Sequence, residues 1–236
     1  MSFAAPPITS LTRTLFVVLI AAFVVETVSS NWLGFPLPAW LALTTKPWSV
    51  LTPVQIFTHP FAMSPRRDGV VDLALTLLFL WWMLSPFEQR FGRRRAIELL
   101  AAATVVPGLA ALVIALPFAN PAPLAGSVGW GLATLSAFAF SLPRDATISL
   151  MGVLPMRAIH LVWFSVGFAL LRFLTGDSDF VLFGSELAAV GVGYGFVRWM
   201  ARPQGRRRKK PSRAPKRSNP FRVIDGGDED PPKYLN

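Results

Sequence analysis

The chain has no cysteine, only two histidines among its 236 residues, and charged side chains at just 15% of positions. Without thiols it can build neither a disulfide framework nor a thiolate-ligated metal site. Two imidazoles are too few for a histidine-rich one, so no metal and no other cofactor is expected. The redox compartment stays undetermined for the same reason. No repeat with a period of 20 to 50 residues is visible, which sets aside repeat arrays.

Hydrocarbon takes the place of charge. Hydrophobic residues make up 53% of the chain and the mean hydropathy is +0.47, well above that of soluble domains, which marks an integral membrane protein with the lipid bilayer as its first partner. The formal charge of +10 would suggest nucleic acid if it were spread over a domain. Instead Arg206, Arg207, Arg208, Lys209, Lys210, Arg213, Lys216 and Arg217 share one tail, which reads as a solvated, lipid-touching, inward-facing segment. No specific nucleic-acid binding is expected.

Six apolar runs stand out at about 14–30, 70–87, 96–117, 126–142, 156–174 and 180–199. At about 1.5 Å rise per residue each reaches across a hydrocarbon core of about 30 Å, the fourth only just. The expected fold is therefore an all-α, six-transmembrane-helix bundle. Arg90, Arg93, Arg94 and Arg95 follow the second run, Arg144 follows the fourth and the large cluster follows the sixth; Lys46, Arg66, Arg67 and Arg172 fall on the other side. That asymmetry places both termini in the cytoplasm, as an even span count requires, and fits a bacterial inner membrane. A cleaved signal peptide competes for the first run, with Arg13 before it and Ser29 and Ser30 after it, but an odd span count conflicts with the arginine pattern. The expected organisation is a short cytoplasmic start at 1–13, a membrane domain at 14–200 with an outer loop at 31–68, and a disordered basic-then-acidic tail at 201–236.

The outer loop carries Trp32, Phe35, Trp40, Trp48, Phe57 and Phe61 between prolines and should lie in the membrane interface. Trp81, Trp82 and Trp199 read as anchors at the inner ends of their spans. In the third run, Pro107-Gly108 should kink the helix or free a carbonyl that neighbouring helices must cover. The fourth opens on Gly126, Ser127, Gly129 and Gly131, so one hydroxyl sits among residues with almost no side chain. Two uses compete: a nucleophile at the mouth of a cavity, or close helix packing in which Ser127 and Gly131 on the fourth span meet Gly191 and Gly195 on the sixth.

Four pieces of the chain resemble the rhomboid family of intramembrane serine proteases and its inactive relatives. They are ProTrpSerValLeuThr at 47–52, PheGluGlnArgPheGly at 87–92, the Gly-Ser helix start with Gly131-Leu132, and GluLeuAlaAlaValGlyValGly at 186–193. The resemblance implies a serine at the start of the fourth helix, a histidine on the sixth and oxyanion-holding polar groups on the second. Matched through Gly131-Leu132, the nucleophile falls on Gly126 and the glycine after it on Ser127, while a one-residue shift rescues Ser127 but puts Val128 where the family has glycine. The histidine position falls on Glu186, and the two polar positions of the second span fall on Asp72 and Thr76. No catalytic position is intact.

A serine needs a base within hydrogen-bond reach. His160 should lie near the opposite end of the bundle from Ser127, His59 would have to fold inward from the outer loop, and Glu186 is a weak base for a hydroxyl. The resemblance then implies what inactive relatives do, which is to bind transmembrane segments of client proteins laterally. The expected contact is the flank between spans two and five, with Phe79, Trp82, Phe164 and Phe168. An active peptidase using Ser127 is the alternative. A second alternative is a small carboxylate-dependent transporter using Asp72 and Glu186, since ionisable groups at membrane depth are expensive; their competing reading is that both reach the headgroups, with Arg172 as a partner. Glu88 should satisfy backbone groups or pair with Arg90 or Arg94. The oligomeric state is not readable.

Because the tail composition cannot bury a core, deleting residues 203–236 should leave helicity and detergent-extracted yield unchanged, as measured by circular dichroism and size-exclusion chromatography. Loss of either would place the domain boundary further along the chain.

Overall fold

The computed structural model describes residues 6–63, 67–119, 121–143, 146–150, 154–176 and 178–202, with the side chains of Arg67, Asp68 and Asp72 and of 148–150 and 154–155 outside that description. The basic-then-acidic tail lies outside the described residues. Helix α1 (Ser10–Asn31) is mostly apolar, charged at Arg13 and Glu26, and has neither proline nor glycine. Its hydroxyls fold back on their own helix, with Thr14 donating to the Ser10 carbonyl and Thr27 to that of Phe23. Two short helices follow, α2 (Leu37–Leu41) and α3 (Thr52–Thr58), each with a proline in its first turn, where the missing N–H costs nothing. A 3-10 turn at His59–Phe61 ends this outer segment.

The next helix changes gauge. It runs as α4 (Arg67–Phe79), a π turn at Leu80–Leu84 and α5 (Ser85–Phe91), with Pro86 just beyond the π turn. A proline ring clashes with the carbonyl four residues back, here that of Trp82, and the wider turn makes room for it. Gly92, at φ +87°, then reverses the chain in one residue into α6 (Arg93–Ile114). Pro107 lies inside α6 and is buried, as is Gly108. The carbonyl freed by Pro107 belongs to Ala103, and it faces Gly129 of the next helix so closely that a Cβ built there would lie 3.6 Å from the oxygen. A neighbouring helix thus covers the defect.

Helix α7 (Val128–Ser141) is the hub. It packs on α6 and α9 and is flanked by α8 and the π turn, and accordingly it is apolar all round, with Trp130, Ala133, Leu135, Ala137 and Ala139 buried. At 14 residues it is about 21 Å long, shorter than a hydrocarbon core of about 30 Å. Its N-terminal end lies against the 3-10 turn His59–Phe61.

A strand pair interrupts the helices, correcting the all-α expectation. β1 (Thr147–Leu150) pairs antiparallel with β2 (Leu154–Arg157), from Thr147 opposite Arg157 to Leu150 opposite Leu154. β-branched Thr147 and Ile148 suit extended backbone, and pairing takes in the chain up to Arg157, so α8 (Ala158–Leu174) begins after residue 157 rather than at 156. Helix α9 (Phe180–Ala201) is capped by Asp179, whose Oδ1 accepts the Leu182 N–H at 2.8 Å while Oδ2 accepts the Ala122 N–H at 2.9 Å.

Among the described residues, four helical segments are long and apolar enough to cross a membrane: Ser10–Asn31, Gly69–Phe91, Arg93–Ile114 and Phe180–Ala201. Val128–Ser141 and Ala158–Leu174 are shorter apolar helices.

Helices α7 and α9 meet backbone to backbone, and the contact is made at Gly193. A Cβ there would lie 2.7 Å from the Ala137 nitrogen and 2.7 Å from Ser136 Cβ, besides striking the Ala133 carbonyl. Ser136 fixes the same contact by donating to the Val190 carbonyl at 2.8 Å. The packing glycines therefore differ from those read from spacing alone, since Gly191 and Gly195 face open space. Gly193→Ala should lower stability by about 1–3 kcal/mol, since backbone cannot yield to the new methyl. Gly191→Ala should raise it by about 0.5–1 kcal/mol through helix propensity. Thermal unfolding in detergent distinguishes the two signs.

Candidate functional site

The outer end of α7 is held by backbone before any side chain acts. Gly126, at φ +93°, donates its N–H to the His59 carbonyl at 2.9 Å. Only glycine enters that region of backbone space without strain. Just upstream, Leu124 and Leu43 exchange both backbone hydrogen bonds, at 2.8 and 3.0 Å. Ser127 follows as the residue preceding α7, 2% exposed, its carbonyl accepting from Trp130 and Gly131.

The Ser127 hydroxyl points to α4. It donates to Thr76 Oγ1 at 3.4 Å, a long contact for two hydroxyls, and this is its one hydrogen bond among the described residues. Thr76 offers no lone pair basic enough to take a proton near neutral pH, so the contact orients Ser127 without activating it.

Helices α7 and α9 run parallel, in a register readable from their contacts. Gly129 meets Ala189 and Ala133 meets Gly193. Gly126 lies two residues before α7, outside this register. Ser127, the residue just before α7, turns its hydroxyl to Thr76 of α4, while Ser185, beside Glu186 on α9, donates to the Leu182 carbonyl of its own helix.

Glu186 is committed elsewhere. Its Oε1 accepts from Arg172 Nη1 of α8 at 2.9 Å, with the carboxylate side chain 5% exposed and the guanidinium side chain 31%. Its Oε2 is buried and has no hydrogen-bond partner among the described residues. Asp72 lies on α4, one turn before Thr76, but its side chain lies outside the described residues.

Neither imidazole serves Ser127. His59 is buried, with Nδ1 on the Ile56 carbonyl at 2.9 Å and its Cε1 edge against Gly108 of α6. Burial pushes it below the ordinary histidine range, against the upward pull of hydrogen bonds to Ile56 and Gln55, so it is neutral at pH 7. His59 does come inward, yet it meets α7 through its carbonyl rather than its ring. His160 is exposed in the first turn of α8, at the end of the bundle to which α7 descends, roughly 20 Å below Ser127 by helix rise.

Two further carboxylates bear on the site's frame. Glu26 of α1 is 1% exposed and accepts the Met63 N–H through Oε2 at 2.8 Å, tying the end of the outer segment to α1. It went unremarked in the sequence, although a lone acid inside an apolar run is the signal that could have found it. Glu88 accepts from Ser10 Oγ and the Leu11 N–H, both at 3.4 Å, and so steadies the first turn of α1. Of the arginines near it, Arg94 pairs with Glu98 at 3.0 Å and Arg90 lies over the Phe91 ring.

Residues 53–202, well over half of the chain, match the sequence model of the Rhomboid domain. The chain belongs to the rhomboid family. No curated protein matches it. The rhomboid match runs from α3 to the end of α9, so it takes in Ser127, Thr76, Glu186 and the α7–α9 contact, and leaves out α1 and α2.

Removing one partner of the Arg172–Glu186 pair should be lopsided. Arg172→Met strands a buried carboxylate and should cost about 2 kcal/mol, less than a fully buried pair because the guanidinium is partly exposed. Glu186→Gln leaves an arginine able to reach water or headgroups and should cost under about 1 kcal/mol. The double variant should recover part of the Arg172→Met loss, as read by detergent unfolding.

Proposed function

We propose that this rhomboid-family protein is a six-span membrane protein with both termini in the cytoplasm. It does not cleave peptides, and it binds transmembrane segments of client proteins from the lipid side. The observation that carries the inactive reading is the Ser127–Thr76 contact: the hydroxyl is paired with another hydroxyl on α4, away from the α9 face where a base would stand. Glu186, at the position where the family resemblance implies histidine, is drawn to Arg172.

The topology rests on the short apolar helices α7 and α8 counting as spans inside the bundle, and on the arginines after α5. On the other side Lys46 gives its charge to the end of α6, donating to the Leu116 carbonyl and, at 2.8 Å, to the Phe118 carbonyl. A cation there complements the negative end of the helix.

Lateral binding is supported by the way α4 and α8 are held. Both pack on α7 and have little direct contact with each other. Their inner ends are joined by an apolar cluster containing Met83, Leu161 and Val162, with Trp82 packed against it. Further out, Phe79 of α4 and Phe164 and Phe168 of α8 are exposed. Exposed aromatic edges on two helices with little direct contact suit an apolar helix better than a soluble ligand.

A fluorophosphonate probe should not label the purified protein, and Ser127→Ala should leave that result unchanged. A photo-crosslinker at Phe168 should capture a co-expressed single-span protein several-fold more than one at Val25 of α1, which is equally exposed. Probe labelling abolished by Ser127→Ala would restore the peptidase, and equal capture at both positions would remove the client-binding flank.

A further inference from the structure

On another side of the molecule α1 and α6 are held apart. The 3-10 turn His59–Phe61 packs against both helices. Below it remains a cleft of about 280 Å³, walled by Leu11 and Leu15 of α1, Ile97 and Ala101 of α6, and Phe57 and Phe61 of the outer segment. Ile97, Ala101 and Phe57 are exposed, so the cleft opens sideways onto the apolar surface.

The chemistry of the wall narrows the occupant. Its two polar side chains, Thr104 and Trp130, are already paired, since Trp130 Nε1 donates to Thr104 Oγ1 at 2.8 Å and Thr104 donates to the Leu100 carbonyl at 2.9 Å. An occupant therefore has no hydrogen bond to make and must be hydrocarbon.

Charge supplies the other end. Arg93, Ile97, Leu100 and Thr104 follow each other at spacings of four, three and four, which puts them on one stripe of α6 with the arginine at its start. Arg93 is exposed and has neither ion pair nor hydrogen bond among the described residues, whereas Arg94 and Arg95 are both spent on Glu98. From Arg93 to Thr104 is roughly 16 Å along the helix, close to the hydrocarbon depth of one leaflet, about 15 Å. The positive end of the α6 dipole lies at the same place.

We infer that the cleft between α1 and α6 binds one acyl chain of an anionic phospholipid, with its phosphate on Arg93. The lipid takes the place of direct α1–α6 packing. This site is separate from the α4–α8 flank and from the Ser127 region, and it stands whether or not the protein cleaves peptides.

The test uses the full-length protein, equilibrated in mixed micelles with equimolar phosphatidylglycerol and phosphatidylcholine and read by native mass spectrometry. The wild type should retain one phosphatidylglycerol per chain. Arg93→Gln, a surface change that spares the fold, should cut the preference for phosphatidylglycerol about fivefold. Ala101→Phe should fill the cleft and abolish retention of both lipids, while Val106→Phe, exposed on the same helix but outside the cleft, should retain lipid as the wild type does. Equal retention of the two lipids by the wild type, or undiminished retention by Ala101→Phe, overturns the site. A photo-crosslinker at Ile97 should yield a lipid adduct; a polypeptide adduct instead would overturn the assignment in favour of a protein partner.

Discussion

The backbone-to-backbone contact of α7 with α9 at Gly193 sets the position of nearly everything else. Inside a bilayer, helices gain little from burying apolar surface against each other, and close approach through small residues supplies the packing that holds them. With Gly193 against Ala133, Ser136 and Ala137, α7 is drawn so near α9 that Ser136 donates to the Val190 carbonyl across the interface. The parallel register that follows determines which residues share a level. Gly129 meets Ala189 and Ala133 meets Gly193 for that reason, and Ser127, just before α7, is turned toward α4.

A second constraint acts from outside. The outer segment is tied down by its polar groups: Gln55 bridges the Thr44 N–H and the Trp40 carbonyl, and Thr58 donates to the Leu41 carbonyl. Leu43 pairs with Leu124, and the His59 carbonyl takes the Gly126 N–H. Buried main-chain groups that lie outside helices must find partners, and here the partners are the backbone just before α7. The same bonds that complete the loop thereby fix the start of the central helix.

The long apolar runs were legible in the sequence because length and hydropathy are one-dimensional properties, and so was the proline defect in α6. The hairpin at 147–157 was not, since an extended pair of four-residue strands leaves no hydropathy trace beside a following helix. Glycine spacing named the right helices for close packing and the wrong glycines: Gly191 and Gly195 fit a four-residue repeat, but which face of α9 turns inward depends on its neighbours, and Gly193 lies on that face. The Ser127–Thr76 contact joins two positions that the family resemblance had singled out separately. Which way the hydroxyl turns depends on the φ of Gly126 and the tie to His59, neither of which is encoded locally. Glu26 escaped notice because its partner, Met63, is distant in sequence.

The π turn between α4 and α5 sets how the two halves of this helix are phased. One extra residue in a helix rotates everything on one side of it by about 100° relative to the other. The inner half, with Met83, Leu84 and Phe87 buried, can keep its face toward the core while the outer half adopts an independent phase. Thr76 meets Ser127 only in the present phase. Insertion or loss of a single residue around Trp81 and Trp82 would swing a different side chain over the mouth of α7 without disturbing the inner packing, so the helix functions as a rotary adjustment between an anchored base and a variable upper face.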